Sequence, residues 1–186
     1  MNAYSISLFL HIVGALGFFI ALAMEWTGLL QIRSAITVEQ ALGWMGILKN
    51  VRKVGFVSML TTVITGFYMF LVYWRGAAWL IVTIGSLVLV IVLAQVVTAP
   101  RMVAIGKALI AQKGLLSRTF YSPANHPLLS ISIQTRAAIA LGIVFLKVVK
   151  PNFGGSLLTI SIAIVLGIVS ALPVSRRELV QEKLAD

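Results

Sequence analysis

Hydrophobic positions along the chain do not recur every second or every third to fourth residue. They come in unbroken runs of about twenty, the length that spans the hydrocarbon core of a bilayer. Five such runs fall at residues 5–30, 54–74, 77–99, 128–149 and 157–172. The first, second, third and fifth are almost wholly apolar. The fourth carries Gln134, Arg136 and Lys147 and is the weakest candidate of the five. Breaks between runs have turn chemistry: Arg75-Gly76 separates the second from the third, and Pro151-Asn152-Phe153-Gly154-Gly155 separates the fourth from the fifth. The pattern predicts one all-α domain over residues 1–186, a polytopic membrane helical bundle of five transmembrane helices.

The polar connections add detail. Thr37-Val38-Glu39-Gln40 has the spacing of a capping box and predicts a helix opening there, so that 37–53 forms an amphipathic connection. Ala99-Pro100 predicts a kink, after which residues 101–116 continue amphipathically along the membrane surface. Ser122-Pro123-Ala124-Asn125-His126-Pro127 predicts a loop leading back into the bilayer.

Composition agrees with the pattern. Of 186 residues 60% are hydrophobic and 11% charged, against roughly 25% charged in an ordinary soluble domain. The formal net charge of +10 would suggest nucleic acid in a soluble chain; here it reads as a topology signal, and no nucleic-acid partner is expected. Lys and Arg gather in the first connection (Arg33, Lys49, Arg52, Lys53), in the third (Arg101, Lys107, Lys113, Arg118) and in the tail (Arg176, Arg177, Lys183). Arg75 stands alone in the second connection, and the fourth has Lys147 and Lys150. The positive-inside rule then places the N-terminus outside and the C-terminus in the cytoplasm, a multi-pass arrangement expected in a bacterial inner membrane. The N-terminal run is too long, and lacks the basic start, for a cleaved signal peptide. Absence of cysteine excludes disulfides, thiolate metal sites and iron–sulfur clusters. No P-loop, HExxH or EF-hand pattern is present, and the one Asp is Asp186, which argues against hydrolytic and phosphoryl-transfer chemistry. No reaction is assigned.

Candidate chemistry sits in the first helix. His11 and Glu25 are the histidine and the acidic residue inside a span, and intramembrane ionisable groups mark function by default. Their separation of two heptads puts both on one face with Phe18, while Gly14, Ala21 and Gly28 form the adjoining small-residue stripe. Two readings stand side by side. Small residues permit close helix packing, with His11 and Glu25 as polar contacts between helices. They also leave room for a flat group ligated by an imidazole, such as haem b. In the second case Tyr68 and Met69 on the second helix are expected near His11, with Met69 as a second soft ligand for haem or for Cu(I). Glu25 is expected to pair with Arg52, Arg101 or Arg136. Arg136 needs such a partner if the fourth span begins at Leu128, and none if it begins at Ala137. His126, flanked by prolines, is expected to anchor a turn.

Several stretches together resemble a known group. Leu8-Phe9-Leu10-His11-Ile12-Val13-Gly14-Ala15, the basic first connection, Thr65-Gly66 and Ala99-Pro100-Arg101 are similar to small predicted bacterial integral membrane proteins related to the CopD-like copper-resistance membrane domain and to HemJ-type proteins. The resemblance covers residues 4 to about 110. It implies a histidine-containing bundle that holds haem or copper, with His11 at the place of the first-helix histidine implicated in haem binding. The chain departs from the copper pattern in having few intramembrane His and Met, and from porphyrinogen oxidation in lacking a lysine in the third span. The leading expectation is therefore a haem-b-binding membrane protein with a redox role. A non-enzymatic scaffold or assembly protein or a small transporter is the alternative, and copper handling comes third. The lipid bilayer is the expected partner, with a second copy of the chain or a membrane redox protein as the others to test.

Overall fold

A computed structural model describes the backbone of residues 2–73 and 77–184 and the side chains of residues 2–72, 77–117 and 120–172. The turn at Trp74-Arg75-Gly76 and the side chains of the basic tail lie outside the described residues. The helices run α1 (Ala3–Ser34), α2 (Val38–Tyr73), α3 (Ala78–Val92), a π-helical segment (Leu93–Thr98), α4 (Ala99–Ile110), α5 (Arg118–Ala124), α6 (Pro127–Val149) and α7 (Phe153–Leu184). Among the described residues, five stretches are long and apolar enough to cross a membrane. The protein is an all-α polytopic membrane bundle.

The helices outrun the bilayer. At 1.5 Å per residue the 32 residues of α1 reach about 48 Å, against a hydrocarbon core of about 30 Å. The excess emerges at the basic end, where a compact layer forms around Leu29, Ile32, Ala41, Ile105, Phe120 and Leu129, all essentially inaccessible. Elsewhere the outward faces are apolar and exposed, as at Phe9, Ile20, Phe56, Ile64, Ile81 and Val165. Lipid is the solvent those residues expect.

Two antiparallel hairpins form the frame. In the first, α1 packs along α2 through small residues: a Cβ on Gly14 would meet Thr62 and the Ser58 carbonyl, and one on Gly28 would meet Leu48. In the second, Gly167 of α7 presses so closely on α6 that a Cβ there would lie 2.5 Å from the Thr135 Cα. The α3–α4 rod packs on α6, and its α4 end also touches α2 and α5. Although its polar residues make α6 the weakest candidate by sequence, it is the central helix and the most enclosed of the five. Ser130, Ser132, Thr135 and Arg136 are buried against protein rather than lipid, which is how such a segment is tolerated.

The connections differ from expectation in an instructive way. No separate surface helix covers 37–53; α2 begins at Val38 and continues unbroken through the basic stretch into the membrane. The capping pair is made at its start, where the Gln40 N–H donates to Thr37 Oγ1 (3.3 Å) and the Ile36 N–H donates to Gln40 Oε1 (3.0 Å). Pro100 does not break the third helix. The preceding turn widens instead, and the Ala99 N–H bonds to the carbonyl of Ala94, five residues back. Inserting that π turn absorbs the missing proline donor. Within the 101–116 connection regular helix runs to Ile110, after which Gly114 takes a left-handed φ of 77° and the chain turns to pair Thr37 with Leu115. Finally, Ser122 and Pro123 lie inside α5, not in a loop, and His126 caps α6 by accepting the Leu128 N–H (3.3 Å).

Candidate functional site

The α1–α2 register fixes what lies opposite the first-helix residues. Positions 14 and 62, 21 and 55, and 28 and 48 face each other, so His11 faces Thr65 and Glu25 faces the Val51–Arg52 turn. His11 Nδ1 lies 2.9 Å from the Thr62 carbonyl oxygen and 3.3 Å from Thr65 Oγ1. The carbonyl accepts only, so Nδ1 carries the proton and donates to it. Gly66 lies flat against the ring, leaving no space for a Cβ beside Cε1. Met69 is buried one turn beyond this contact, and Tyr68 is 37% exposed on the lipid side. The residues level with His11 are thus Thr62, Thr65 and Gly66.

Glu25 meets Arg136. Arg136 Nη2 donates to Glu25 Oε2 at 2.9 Å, with the two side chains 5% and 24% exposed respectively. Since α6 begins at Pro127, Arg136 lies well inside the bundle and requires a counter-charge. The same Nη2 approaches Thr98 Oγ1 (3.4 Å). Thr98 Oγ1 shares a hydrogen bond with Ser132 Oγ (2.9 Å), and Ser132 Oγ reaches the Leu93 carbonyl (3.2 Å). One polar chain therefore joins α1, α6 and the π segment, whose widened turn brings Leu93 and Thr98 to face α6. Arg136 Nε and Thr135 Oγ1 are buried without a hydrogen-bond partner among the described residues. Arg101, another candidate partner for Glu25, instead donates from Nη1 to the Val97 carbonyl (2.7 Å), and Arg52 is exposed. A second tie lies at the basic end. Arg33 donates from Nε to the Ala124 carbonyl and from Nη1 to Ser130 Oγ, both at 2.9 Å, and Tyr121 OH donates to the Ala35 carbonyl (2.9 Å).

Beside the ion pair opens a cleft of about 730 Å³, within the range of ordinary ligand sites. It lies between α1, α2 and the α3–α4 rod, with Arg136 among its lining residues. Its α1 wall is Phe18, Ala21, Leu22 and Glu25, so His11 is not part of it. The existence of the cleft follows from the packing. Small residues draw α2 tightly onto α1, whereas α3 is drawn onto α6 and α7, and the wedge between α2 and α3 is left unfilled. Lining side chains such as Phe56, Val57 and Leu60 are 66%, 60% and 46% exposed, which opens the wedge sideways to lipid.

Sequence reasoning marked Glu25 and Arg136 and missed Thr98, Ser132 and the cleft. The missed signal was the run Ser130-x-Ser132-x-Gln134-Thr135-Arg136, too polar for a lipid-facing helix and spaced to aim at neighbours. No group of three or more His, Cys, Asp or Glu able to hold a metal occurs among the described residues. Comparison of the chain with family models, with curated proteins and with solved structures finds no match.

Proposed function

We propose that this integral membrane protein is a binding protein for an amphiphilic molecule, admitted sideways from the bilayer into the cleft between α2 and α3. The observation that carries this reading is the cleft itself: apolar walls open to lipid, with the buried Glu25–Arg136 pair at one end. A soluble substrate would have to cross lipid to enter; a lipid-phase molecule need only slide in. The pair gives such a ligand fixed polar groups in a low-dielectric setting, where hydrogen bonds count for more than in water.

A photoreactive phospholipid carrying a diazirine in its acyl chain tests the reading in vesicles. Labelling is expected at recessed wall residues such as Ala21, Leu22 and Ala94, and Leu60→Trp, which fills the mouth, is expected to abolish it. Labelling confined to outward residues such as Phe9 and Ile84 would refute the reading.

One observation favours a second reading, haem b on His11, which is also what the resemblance to CopD-like and HemJ-type proteins implies. The Nδ1–H donates to a backbone carbonyl, the outer hydrogen bond common to ligating histidines, and this leaves Nε2 as the lone-pair nitrogen. Iron would supply any redox chemistry; the chain's own part would be to hold the ring through Thr62. Copper at the same nitrogen is the variant of this reading with a smaller occupant. The cleft supports the amphiphile reading first, because His11 lies outside it. Absorption spectra of the purified protein, oxidised and dithionite-reduced and after haem addition, decide the matter. A Soret band lost in His11→Ala supports haem, whereas no band refutes it. Bound copper without that band would support the copper variant.

A further inference from the structure

Resting on the amphiphile reading, we infer that the cleft selects an anionic phospholipid, bound with its phosphate at the Arg52–Lys53 rim and its acyl chain along α2 and α3. Three observations point there together.

The first is charge. Arg52, Lys53 and Arg136 line the cleft against the single carboxylate of Glu25, leaving a net +2 on its wall. Arg136 is already committed to Glu25, so the uncompensated charge is that of the rim, where Arg52 and Lys53 are exposed. Basic pockets between membrane helices hold anionic headgroups for this reason.

The second is the direction of polarity. Through the α1–α2 register, Glu25 is level with the Val51–Arg52 turn, and Phe18 is level with Ser58. Polar groups therefore gather in one layer at the basic end of the cleft. Leu60, Val63, Val90 and Ile91 line the part towards the bilayer centre. A lipid in the adjoining leaflet already has its phosphate at the first level and its chain at the second. It enters without turning over. A molecule with its polar group in mid-chain would not match.

The third is donor capacity. Arg136 is spent on Glu25 and Thr98, whereas the exposed guanidinium of Arg52 and ammonium of Lys53 form no ion pair among the described residues. The rim thus holds N–H groups that the protein's own acceptors do not use. An oxyanion with several lone pairs suits such a rim better than a zwitterionic head, whose ammonium would meet two cations.

Native mass spectrometry of the full chain, released from nanodiscs, tests the inference. The discs hold phosphatidylglycerol and phosphatidylcholine of identical chains, with oleate in a separate arm. An interfacial Lys or Arg is worth roughly fivefold in affinity for an anionic lipid, so the two rim cations predict a preference of about thirty-fold for phosphatidylglycerol. Arg52→Gln with Lys53→Gln is expected to erase that preference while leaving residual binding. Both rim residues are exposed, so the double variant should fold. Leu60→Trp is expected to remove binding of both lipids. Equal retention of the two lipids, still abolished by Leu60→Trp, would overturn the anionic inference and leave the cleft reading intact. Oleate bound more tightly than phosphatidylglycerol would overturn the phosphate assignment in favour of a carboxylate. Lipid retention indifferent to Leu60→Trp would overturn both this inference and the reading on which it rests.

Discussion

Removing the carboxylate of Glu25 should cost far more than removing its partner. In Glu25→Gln the Arg136 guanidinium stays buried, 5% exposed, with only neutral acceptors beside it, the new amide oxygen and Thr98 Oγ1 at 3.4 Å. Breaking a buried pair so that one charge is stranded costs about 3–5 kcal/mol. In Arg136→Met the stranded group is Glu25, 24% exposed at the cleft wall, where it can take up water; roughly 1–2 kcal/mol follows for that partial exposure. In the double variant Glu25→Gln with Arg136→Met no charge is stranded, and the loss should be smaller than the Glu25→Gln loss alone. For a chain of this size each kcal/mol moves the melting temperature by about 2–4 °C. The expected order in mild detergent is therefore a fall of at least about 6 °C for Glu25→Gln, about 2–8 °C for Arg136→Met, and a partial recovery in the double variant. A fall for Glu25→Gln below about 2 °C, or additive losses in the double variant, would show that the pair is solvated and would refute the account of Arg136 as a buried, dependent charge.

Other outcomes follow from single contacts. Gly167→Ala puts a Cβ 2.5 Å from the Thr135 Cα and should destabilise by about 1–3 kcal/mol through overpacking; Gly85→Ala, which meets nothing within 4 Å, should stay within about 0.5 kcal/mol. Thermal melts of the two side by side check both. His11→Leu deletes one interhelical hydrogen bond, and its cost should be near 0.6 kcal/mol and no more than about 1.7; a larger loss on the same melts would mean that something besides α2 depends on the imidazole. Tyr121→Phe loses the bond to the Ala35 carbonyl, worth about 1 kcal/mol, and limited proteolysis should cut the 111–117 loop faster if α5 is held by that bond.

Number and nature of the spans are legible in the sequence because lipid imposes a one-dimensional rule, about twenty apolar residues with the backbone satisfied internally. Partner choice is not one-dimensional. Arg52, Arg101 and Arg136 are equivalent as partners for Glu25 until α6 is known to begin at Pro127 and to pack against α1. The place of Met69 and Tyr68 relative to His11, within one helical turn of Thr65, is hard to read from the sequence for a related reason. Estimating depth from the start of each apolar run ignores that α2 is a single helix from Val38, and the register follows from where glycines permit contact rather than from run boundaries. Pro100 marks a disturbance of the third helix on its missing donor alone, whereas the form it takes is not legible: the π turn before it supplies the compensation and also turns Thr98 toward Ser132.

The same packing rule that holds the bundle together leaves it incomplete. Gly14 and Gly28 pull α1 onto α2, and Gly142 and Gly167 pull α6 onto α7, because close backbone approach is the attraction that survives when lipid is as apolar as the side chains. Each hairpin spends its small residues on its own internal contact. The α3–α4 rod has Gly85 facing open space and must choose a hairpin, and the polar residues of its π segment choose the second, through Ser132 and Arg136. That choice leaves the first hairpin touching the rod mainly at α4 and opens the wedge above it. Arg33 ties α1 to α6 at the basic end through Ser130, and Glu25 is the charged group of α1 that crosses to α6 beside the wedge, so the ion pair and the cleft share a single cause. Any ligand in the wedge sits against the contact that joins the two halves, and the stability of the pair and the occupancy of the cleft should rise and fall together.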